Sequence, residues 1–377
     1  TKQEEARNLN ASRSSGGSAR EGLLSEKPPP SQPPSFLLPS LQEGARGRVL
    51  LHRRSTLPRK HTQSTLGGIT VRIMRDPGQT EPCVLVMGMF DGVHRGHQQL
   101  LMTGAELAER DGLPLYVCTY EPHPLAVLCP EKAPPMLTTL PERARYMTGF
   151  GVDALCVLSF NHQVADQEPE DFVRHMVDVF HPRHVVVGFN NTFGRGGKGN
   201  GELMTRMGAA LGFETHIVPA VELDGGAVSS TRIRGLLKQG DIHGANHLLG
   251  HAYSMSGRVM DGKHIGRTMG YPTANLDVPK NKALPAYGVY ACYMTVGESV
   301  YPAVVNVGRH PTLPEGAVTV EAHVLDACLM LYGKKVRLDF LDFQRSERKF
   351  AGVDDLKAQI QSDANQAREF FKEWRKP

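Results

Sequence analysis

The chain has 377 residues, which is too long for one small core and makes two domains with additional segments the expectation. Residues 1–70 carry 11 Lys and Arg against 5 Asp and Glu, whereas residues 71–377 carry 32 against 34, so the net charge of +4 originates at the N-terminal end. A basic nucleic-acid-binding surface on the folded part is therefore not expected. No apolar run approaches the ~18 residues of a membrane-spanning helix, so we do not expect an integral membrane protein.

The six cysteines are widely scattered, and no two of them form a C-x-x-C motif. Several lie within apolar runs. This pattern favours reduced, mostly buried thiols over a disulfide framework, and it predicts a cytoplasmic protein.

Residues 1–68 are rich in Ser, Pro, Gly and Arg and show no sustained hydrophobic period. Such a segment buries too little apolar surface to order itself, so we predict a disordered extension. The Arg-rich stretch 44–75 also fits an organelle transit peptide, but five glutamates before residue 44 favour an unstructured or artefactual extension.

Residues 69–235 alternate short β-rich runs with amphipathic stretches. This alternation predicts a parallel sheet covered on both faces, with ligands at the carboxyl ends of its strands. We predict strands at 84–87, 115–119, 154–158, 184–187 and 215–218, and helices at 97–110, 141–148, 169–180 and 202–211.

A helical stretch at 233–249 is followed by a different pattern. Short alternating runs separated by Gly, Pro and Asn predict a small antiparallel barrel or sandwich, and 353–374 predicts a closing helix with one buried stripe. The predicted strands of this half are 253–259, 289–296, 301–307, 318–325 and 335–343.

Residues 88–97, Gly-Met-Phe-Asp-Gly-Val-His-Arg-Gly-His, place two histidines three apart where a β-rich run turns into a helix. His94 and His97 are expected on the first helical turn, where free N–H groups and the helix dipole favour an anion. A zinc-binding pair and a plain turn with solvated histidines are the alternatives. The favoured interpretation is a nucleotide phosphate site.

Two further segments of this half carry phosphate-binding chemistry. Residues 229–234, Ser-Ser-Thr-Arg-Ile-Arg, combine helix-capping hydroxyls with arginines that bind phosphate oxygens, although an ordinary N-cap with solvated arginines is the alternative. The loop 188–199 contains a formal G-x-G-x-x-G, but residues 189–193 separate it from the strand, so it fits neither a dinucleotide-binding turn nor a P-loop. A flexible, basic nucleotide or substrate loop is favoured over a plain surface loop.

In the second half, Thr273 and Asn275 stand two apart in a turn-rich segment. On an extended backbone both would face one way, and their hard oxygens suit Mg²⁺ shared with nucleotide phosphates. A turn with self-satisfied side chains is the alternative. Residues 318–325 alternate as a strand whose polar face carries Glu321, a candidate general base or part of an exposed strand face.

Together these segments resemble the prokaryotic bifunctional riboflavin kinase/FMN adenylyltransferase family, also called FAD synthetase, over about residues 70–375. The resemblance implies an α/β nucleotidyltransferase domain with a Rossmann-like parallel sheet of the HxGH type at 69–246. A small antiparallel β-barrel riboflavin kinase domain with a C-terminal helix follows at 247–377. The segments that carry the resemblance are 88–98, 121–124, 188–199, 229–234, 266–276, 285–290, 306–312, 332–333 and 345–347.

The resemblance implies two successive reactions. ATP phosphorylates riboflavin to FMN, and the FMN phosphate then attacks the α-phosphorus of a second ATP to give FAD and pyrophosphate. Riboflavin, FMN and ATP are the implied partners and Mg²⁺ the implied cofactor; neither a nucleic acid nor a membrane is implied, and the oligomeric state is left open. A monofunctional adenylyltransferase and a non-catalytic flavin-binding regulator are the alternatives.

The resemblance also implies roles for individual residues. His94 and His97 would bind the triphosphate, and Glu321 would accept the proton of the ribityl 5′-hydroxyl. Thr273 and Asn275 would hold Mg²⁺. The remaining implied binding residues of the adenylyltransferase site are Gly88, Phe90, Asp91, Gly92, Asn190, Ser229, Ser230, Thr231 and Arg234, and those of the kinase site are Gly266, Arg267, Asn306 and Arg345.

Four positions depart from the usual family pattern. Asn191 stands where an aromatic is usual, Tyr120 and Tyr271 replace the more frequent Phe, and His310 stands where a second Arg is common. The two tyrosines keep the aromatic ring that phenylalanine has at these positions. Asn191 removes apolar surface, so the contribution of its loop to FMN binding is left open.

Overall fold

The structure, a computed structural model, describes residues 71–260, 271–309, 318–327 and 329–374. The predicted disordered extension at 1–68 lies outside these residues, as do Gly266, Arg267 and His310. Among the helices described, none combines the length and apolar character needed to cross a bilayer.

Six parallel strands form the sheet of the first lobe. The central strand β2 is buried along its whole length, as expected for a parallel sheet covered on both faces. The chain moves outward from β2 through β3 and β4 and then returns to β5 on the other side of β2, which places the topological switch point at the carboxyl ends of β2 and β5. The strands are β1 Arg72–Arg75, β2 Cys83–Met87, β3 Leu115–Glu121, β4 Ala154–Ser159, β5 Pro182–Gly188 and β6 Glu214–Val218, in the order β1-β4-β3-β2-β5-β6.

Helices cover both faces of this sheet. Val84 and Val86 of β2 pack in the apolar cluster that contains Leu101, whereas Leu85 packs on the opposite face in the cluster that contains Phe172. The alternation along one strand thus builds two cores. The helices are α1 Arg95–Asp111, α2 Pro124–Leu128, α3 Leu140–Met147, α4 His162–Ala165, α5 Pro169–Phe180 and α6 Gly201–Leu211.

The segment 233–249 was predicted as one helix, and that prediction is wrong. A short hairpin, β7 Glu222–Leu223 and β8 Gly226–Ala227, is followed by two helices, α7 Ser230–Gln239 and α8 Ile242–Leu249. Gly240 adopts a left-handed conformation with φ 80°, and the Asp241 carboxylate accepts a hydrogen bond from the Gly244 N–H at 2.8 Å. The Gly-Asp pair therefore ends one helix and caps the next.

A closed six-stranded antiparallel barrel forms the second lobe, as predicted. Its interior holds alternate apolar residues, among them Val305, Val307, Val320 and Ala322. Strand β10 was not among the predicted strands. The strands are β9 Tyr253–Met260, β10 Ala274–Asp277, β11 Gly288–Val296, β12 Ser299–Arg309, β13 Val318–Val324 and β14 Lys335–Ser346, in the closed order β10-β13-β12-β11-β14-β9.

The predicted closing helix, α9, spans Val353–Glu373 and packs on the outside of the barrel. Ala364 and Ala367 are buried against Ala291 of β11 and Leu325. Small side chains on both surfaces allow this close approach.

The two lobes share an apolar cluster. Ile233 of α7 and Leu248 of α8 pack in the same cluster as Tyr253 and Phe340 of the barrel. The predicted domain boundary at 246/247 falls within α8, and the boundaries stay a prediction.

Candidate active site

A cleft of about 770 Å³ lies at the carboxyl ends of β2 and β5. It brings together the segment after β2, the loop after β5 and the amino end of α7, which are far apart in the sequence. Nine of the sequence-predicted residues line it: Gly88, Asp91, His94, His97, Asn190, Ser229, Ser230, Thr231 and Arg234. Phe90 and Gly92 do not.

Phe90 and Gly92 instead shape the turn between β2 and α1. Phe90, Gly92 and Val93 have φ values of 50°, 90° and 41°, all in the left-handed region. A Cβ on Gly92 would lie 2.8 Å from the Leu137 side chain, so this position requires glycine. Phe90 is completely buried beneath the cleft, where its side chain anchors the strained turn.

His94 and His97 stack on the first turn of α1 with ring centroids 3.6 Å apart. His94 is the N-cap residue, and its Nδ1 accepts a hydrogen bond from the backbone N–H of His97 at 3.3 Å. In a neutral ring the proton of His94 therefore resides on Nε2. Nδ1 of His97 is buried and has no hydrogen-bond partner within the described residues, which suits a polar ligand in the cleft.

Burial keeps both rings neutral. It lowers the pKa of His94 from an ordinary 6.5 to about 4, and it lowers the pKa of His97 well below 6.5. The cleft thus presents neutral donors near neutral pH. Phosphate charge brought close to them would raise their pKa values again.

We expect acid to destabilise the protein through His94. Below pH 6.5 the unfolded chain binds a proton at this ring that the folded chain, with a pKa of about 4, does not. The stabilisation is complete above pH ~6.5 and decreases as the pH falls toward 4, where the loss reaches on the order of 3 kcal/mol. Urea denaturation between about pH 7 and about pH 4.5 measures it.

His94→Asn is the matched control for this pH dependence, because Asn also caps a helix but does not titrate. The slope of unfolding free energy against pH should be smaller in this variant. Equal slopes in the variant and the parent would contradict the assignment.

Asp91 connects the histidine turn to α3 and α7. Its buried carboxylate accepts hydrogen bonds from the backbone N–H groups of Leu137 at 3.0 Å and Thr138 at 2.9 Å. Arg234 of α7 forms an ion pair with it at 2.5 Å, and Arg143 of α3 lies 3.5 Å away. Because its charge is already neutralised, Asp91 positions Arg234 and the turn.

Arg234, Ser229 and Ser230 already form hydrogen bonds within the protein. Arg234 donates through Nε to the Pro135 carbonyl at 2.6 Å, in addition to its pair with Asp91. Ser229 caps α7 by accepting from the Arg232 N–H, and Ser230 donates to the Asp91 carbonyl at 2.8 Å. Thr231 lies exposed on the cleft wall.

The loop 188–199 differs from the predicted flexible, basic loop. Phe193 and Gly199 pair as a bridge, and the Arg195 guanidinium binds Glu168 at 2.6 Å and the Asp166 carbonyl. Its Asn190 and Asn191 line the cleft. Nδ2 of Asn191 is buried and lacks a partner among the described residues, so this family departure presents a polar group to the cleft.

Sequence reasoning gave no role to His123, Tyr120 or Phe160, which also line the cleft. His123 caps α2 by accepting from the Leu125 N–H at 3.1 Å, and burial lowers its pKa. The Glu-Pro-His-Pro segment at 121–124, one of the segments that carry the family resemblance, was the feature that could have identified His123.

The barrel brings three predicted kinase residues into one row. Asn275 of β10 lies in register with Glu321 of β13, which lies in register with Asn306 of β12. Their sequence neighbours point into the barrel core, so these three lie on its outer face. Residues separated by 46 and 15 positions in the sequence thus occupy adjacent strands.

Two other predicted kinase residues lie near α9 and the start of β10. Arg345 forms a two-point ion pair with Asp363 of α9, at 2.8 and 2.6 Å. Thr273 directly precedes β10, in a segment where Tyr271 donates to Gln361 of α9 and the Pro272 carbonyl contacts His323. The segment is thereby held between β13 and α9.

Two family models match the chain, one described as FAD synthetase over residues 76–232 and one described as riboflavin kinase over residues 249–371. The bifunctional riboflavin kinase/FMN adenylyltransferase of Escherichia coli strain K12 is 37% identical over 293 residues, which span 77% of this chain and 93% of that relative. The chain belongs to this family. The bifunctional riboflavin kinase/FMN adenylyltransferase of Bacillus subtilis strain 168 is 35% identical over 297 residues, which span 78% of this chain and 94% of that relative.

A solved structure described as a macrolide-efflux protein from Streptococcus pneumoniae shares the fold, with a TM-score of 0.71 and 32% identity. The match covers 78% of this chain and 98% of the other. Strands β2–β6 of the parallel sheet lie within the FAD synthetase match and the barrel strands lie within the riboflavin kinase match, which confirms the predicted fold class.

Proposed function

We infer that this chain is a bifunctional enzyme that phosphorylates riboflavin to FMN and then adenylylates FMN to FAD. The observation that carries this inference is the presence in one chain of both family matches, each containing a clustered polar site. We further propose that it acts in the cytoplasm on free riboflavin, FMN and ATP, without a nucleic-acid or membrane partner. The domain limits proposed for the two activities are 69–246 and 247–377.

In the kinase reaction, Glu321 accepts the proton of the ribityl 5′-hydroxyl while the oxygen attacks the γ-phosphorus of ATP. The bond to the β–γ bridging oxygen breaks, and ADP leaves. Asn306 lies in register with Glu321 on the neighbouring strand, and in this proposal it orients the hydroxyl chain. A positioned base of this kind contributes ~10²–10⁴ in rate.

The oxygen donors beside Glu321 fit a magnesium site, because Asn275 lies directly opposite Glu321 and Thr273 is two residues away from Asn275. Thr273 and Asn275 would hold the ion. When bound, Mg²⁺ would neutralise charge on the phosphate oxygens.

In the adenylyltransferase reaction, an oxygen of the FMN phosphate attacks the α-phosphorus of ATP, and the bond to the α–β bridging oxygen breaks to release pyrophosphate. His94 and His97 donate hydrogen bonds to the triphosphate as charge moves onto the leaving group. Arg234, Ser230 and Thr231 close over the outer phosphates from the start of α7. The protein contributes positioning and charge stabilisation, since no covalent intermediate is needed.

The test is a flavin product assay on the full-length chain. Incubation with riboflavin, ATP and MgCl₂ should yield FMN first and FAD later, resolved by chromatography, with pyrophosphate released in step with FAD. A preparation that binds flavin but yields neither product would refute the proposal and favour the regulator. FAD formed from supplied FMN, with no FMN formed from riboflavin, would favour the monofunctional adenylyltransferase.

A further inference from the structure

A cluster of metal-ligating side chains lies at the amino ends of β5 and β6, the end of the sheet opposite the cleft. It consists of His184, Glu214 and His216. His184 Nδ1 lies 3.1 Å from His216 Nε2 and 3.5 Å from Glu214 Oε2, and the latter two atoms are 3.8 Å apart. Neither flavin reaction uses these residues.

The hydrogen bond between Asp111 and His184 fixes the protonation of the ring. The Asp111 carboxylate, at the end of α1, lies 2.6 Å from His184 Nε2. The same carboxylate accepts two hydrogen bonds from the Arg110 guanidinium, at 2.7 and 3.0 Å, so it acts as an acceptor. Nε2 of His184 donates to this carboxylate, which leaves Nδ1 as the ring nitrogen that faces His216 and Glu214.

The same arrangement is typical of metal-bound histidines, which donate their second ring N–H to a carboxylate. His216 turns its Nε2 toward the same place, 3.1 Å from His184 Nδ1. The Arg110 guanidinium pairs with Asp111 at 2.7 Å and offsets its charge. One carboxylate, Glu214, then faces the two imidazoles.

The spacing of the three ligand atoms fits a tetrahedral site. Zinc with bonds of about 2.0–2.2 Å to nitrogen and oxygen requires ligand atoms about 3.3–3.5 Å apart. The observed separations of 3.1, 3.5 and 3.8 Å bracket this value. A small adjustment of Glu214, whose side chain is 64% exposed, would shorten its 3.8 Å separation from His216 Nε2.

We propose that His184, His216 and Glu214 form a zinc site, with Asp111 orienting His184 and a water molecule as the fourth ligand. The site joins β6, the edge strand of the sheet, to β5 and to the end of α1. A bound ion would therefore hold this edge in place and stabilise the folded state by mass action.

The experiment uses the full-length chain stripped with EDTA, exposed to excess zinc sulfate and desalted. Elemental analysis should find one more zinc ion per chain in the parent than in His216→Ala or Glu214→Gln, and zinc should raise the melting temperature of the parent but not of these two variants. Asp111→Asn should weaken zinc binding ~10–100-fold, as loss of an orienting carboxylate does.

His175→Ala is the matched control, because His175 is exposed on α5 and outside the cluster. It should bind zinc as the parent does. Circular dichroism and unchanged synthesis of FAD by His216→Ala establish that this variant is folded. A parent that retains no zinc, or zinc retention equal in the parent and His216→Ala, would overturn the proposal and leave the two rings joined by a hydrogen bond alone.

Discussion

Glu321→Gln should lose riboflavin phosphorylation by ~10²–10⁴-fold in kcat while still converting supplied FMN to FAD. The amide keeps the size of the side chain on the outer face of the barrel but does not accept a proton from the ribityl hydroxyl. The cleft that contains His94 and His97 lies in the other lobe, so adenylylation should stay within about twofold of the parent value. Rates of FMN and FAD formation are measured separately by chromatography.

Glu298→Gln makes the same chemical change at an exposed position in the turn between β11 and β12, and it should keep both activities. Loss of both activities in a folded Glu321→Gln protein would contradict the assignment of separate sites. Full kinase activity in this variant would exclude Glu321 as the base.

His97→Ala should reverse this pattern, so that the chain forms FMN from riboflavin and stops there. Removing one preorganised donor to the developing charge costs ~10²–10³ in kcat. Nδ1 of His97 is buried and lacks a protein partner among the described residues, so the ring is available to the nucleotide. The measurement is FAD formed from supplied FMN and ATP, with FMN formation in the same preparation reporting on the barrel.

His175→Ala serves as the control for removal of an imidazole, since His175 is an exposed residue of α5. Because the His97 ring packs against His94 and Phe90, a thermal melt should accompany the assay. A folded His97→Ala protein that still makes FAD at the parent rate would refute the role of this ring.

Local signals in the sequence predicted the elements that build the cleft. The apolar run before Gly88 and the helical spacing after His97 placed the histidines at a strand-to-helix turn, where the structure has them. The short edge strand β1, Arg72–Arg75, was missed because four half-exposed residues produce no periodic pattern. The break between α7 and α8 was overlooked although Gly240 and Asp241 are typical cap residues.

The partners of the charged site residues could not be predicted in the same way. The family resemblance implied both Asp91 and Arg345 as binding residues. In the structure Asp91 pairs with Arg234, 143 residues away, and Arg345 pairs with Asp363 of α9. Such pairings depend on how the helices pack on the sheet and the barrel. The residues next to Asp91 or Arg345 in the sequence carry no information about these distant partners.

The buried ion pair between Lys282 and Glu142, 2.7 Å long, has a consequence for how the protein unfolds. Lys282 also donates to the Leu137 carbonyl at 2.6 Å, and the Leu137 N–H donates to Asp91, so a residue between β10 and β11 braces the turn that carries His94. The two catalytic halves are therefore thermodynamically linked, because separating them would break this ion pair and expose the apolar cluster shared by the two lobes to water. A chain cut at 246/247 would not yield two intact enzymes.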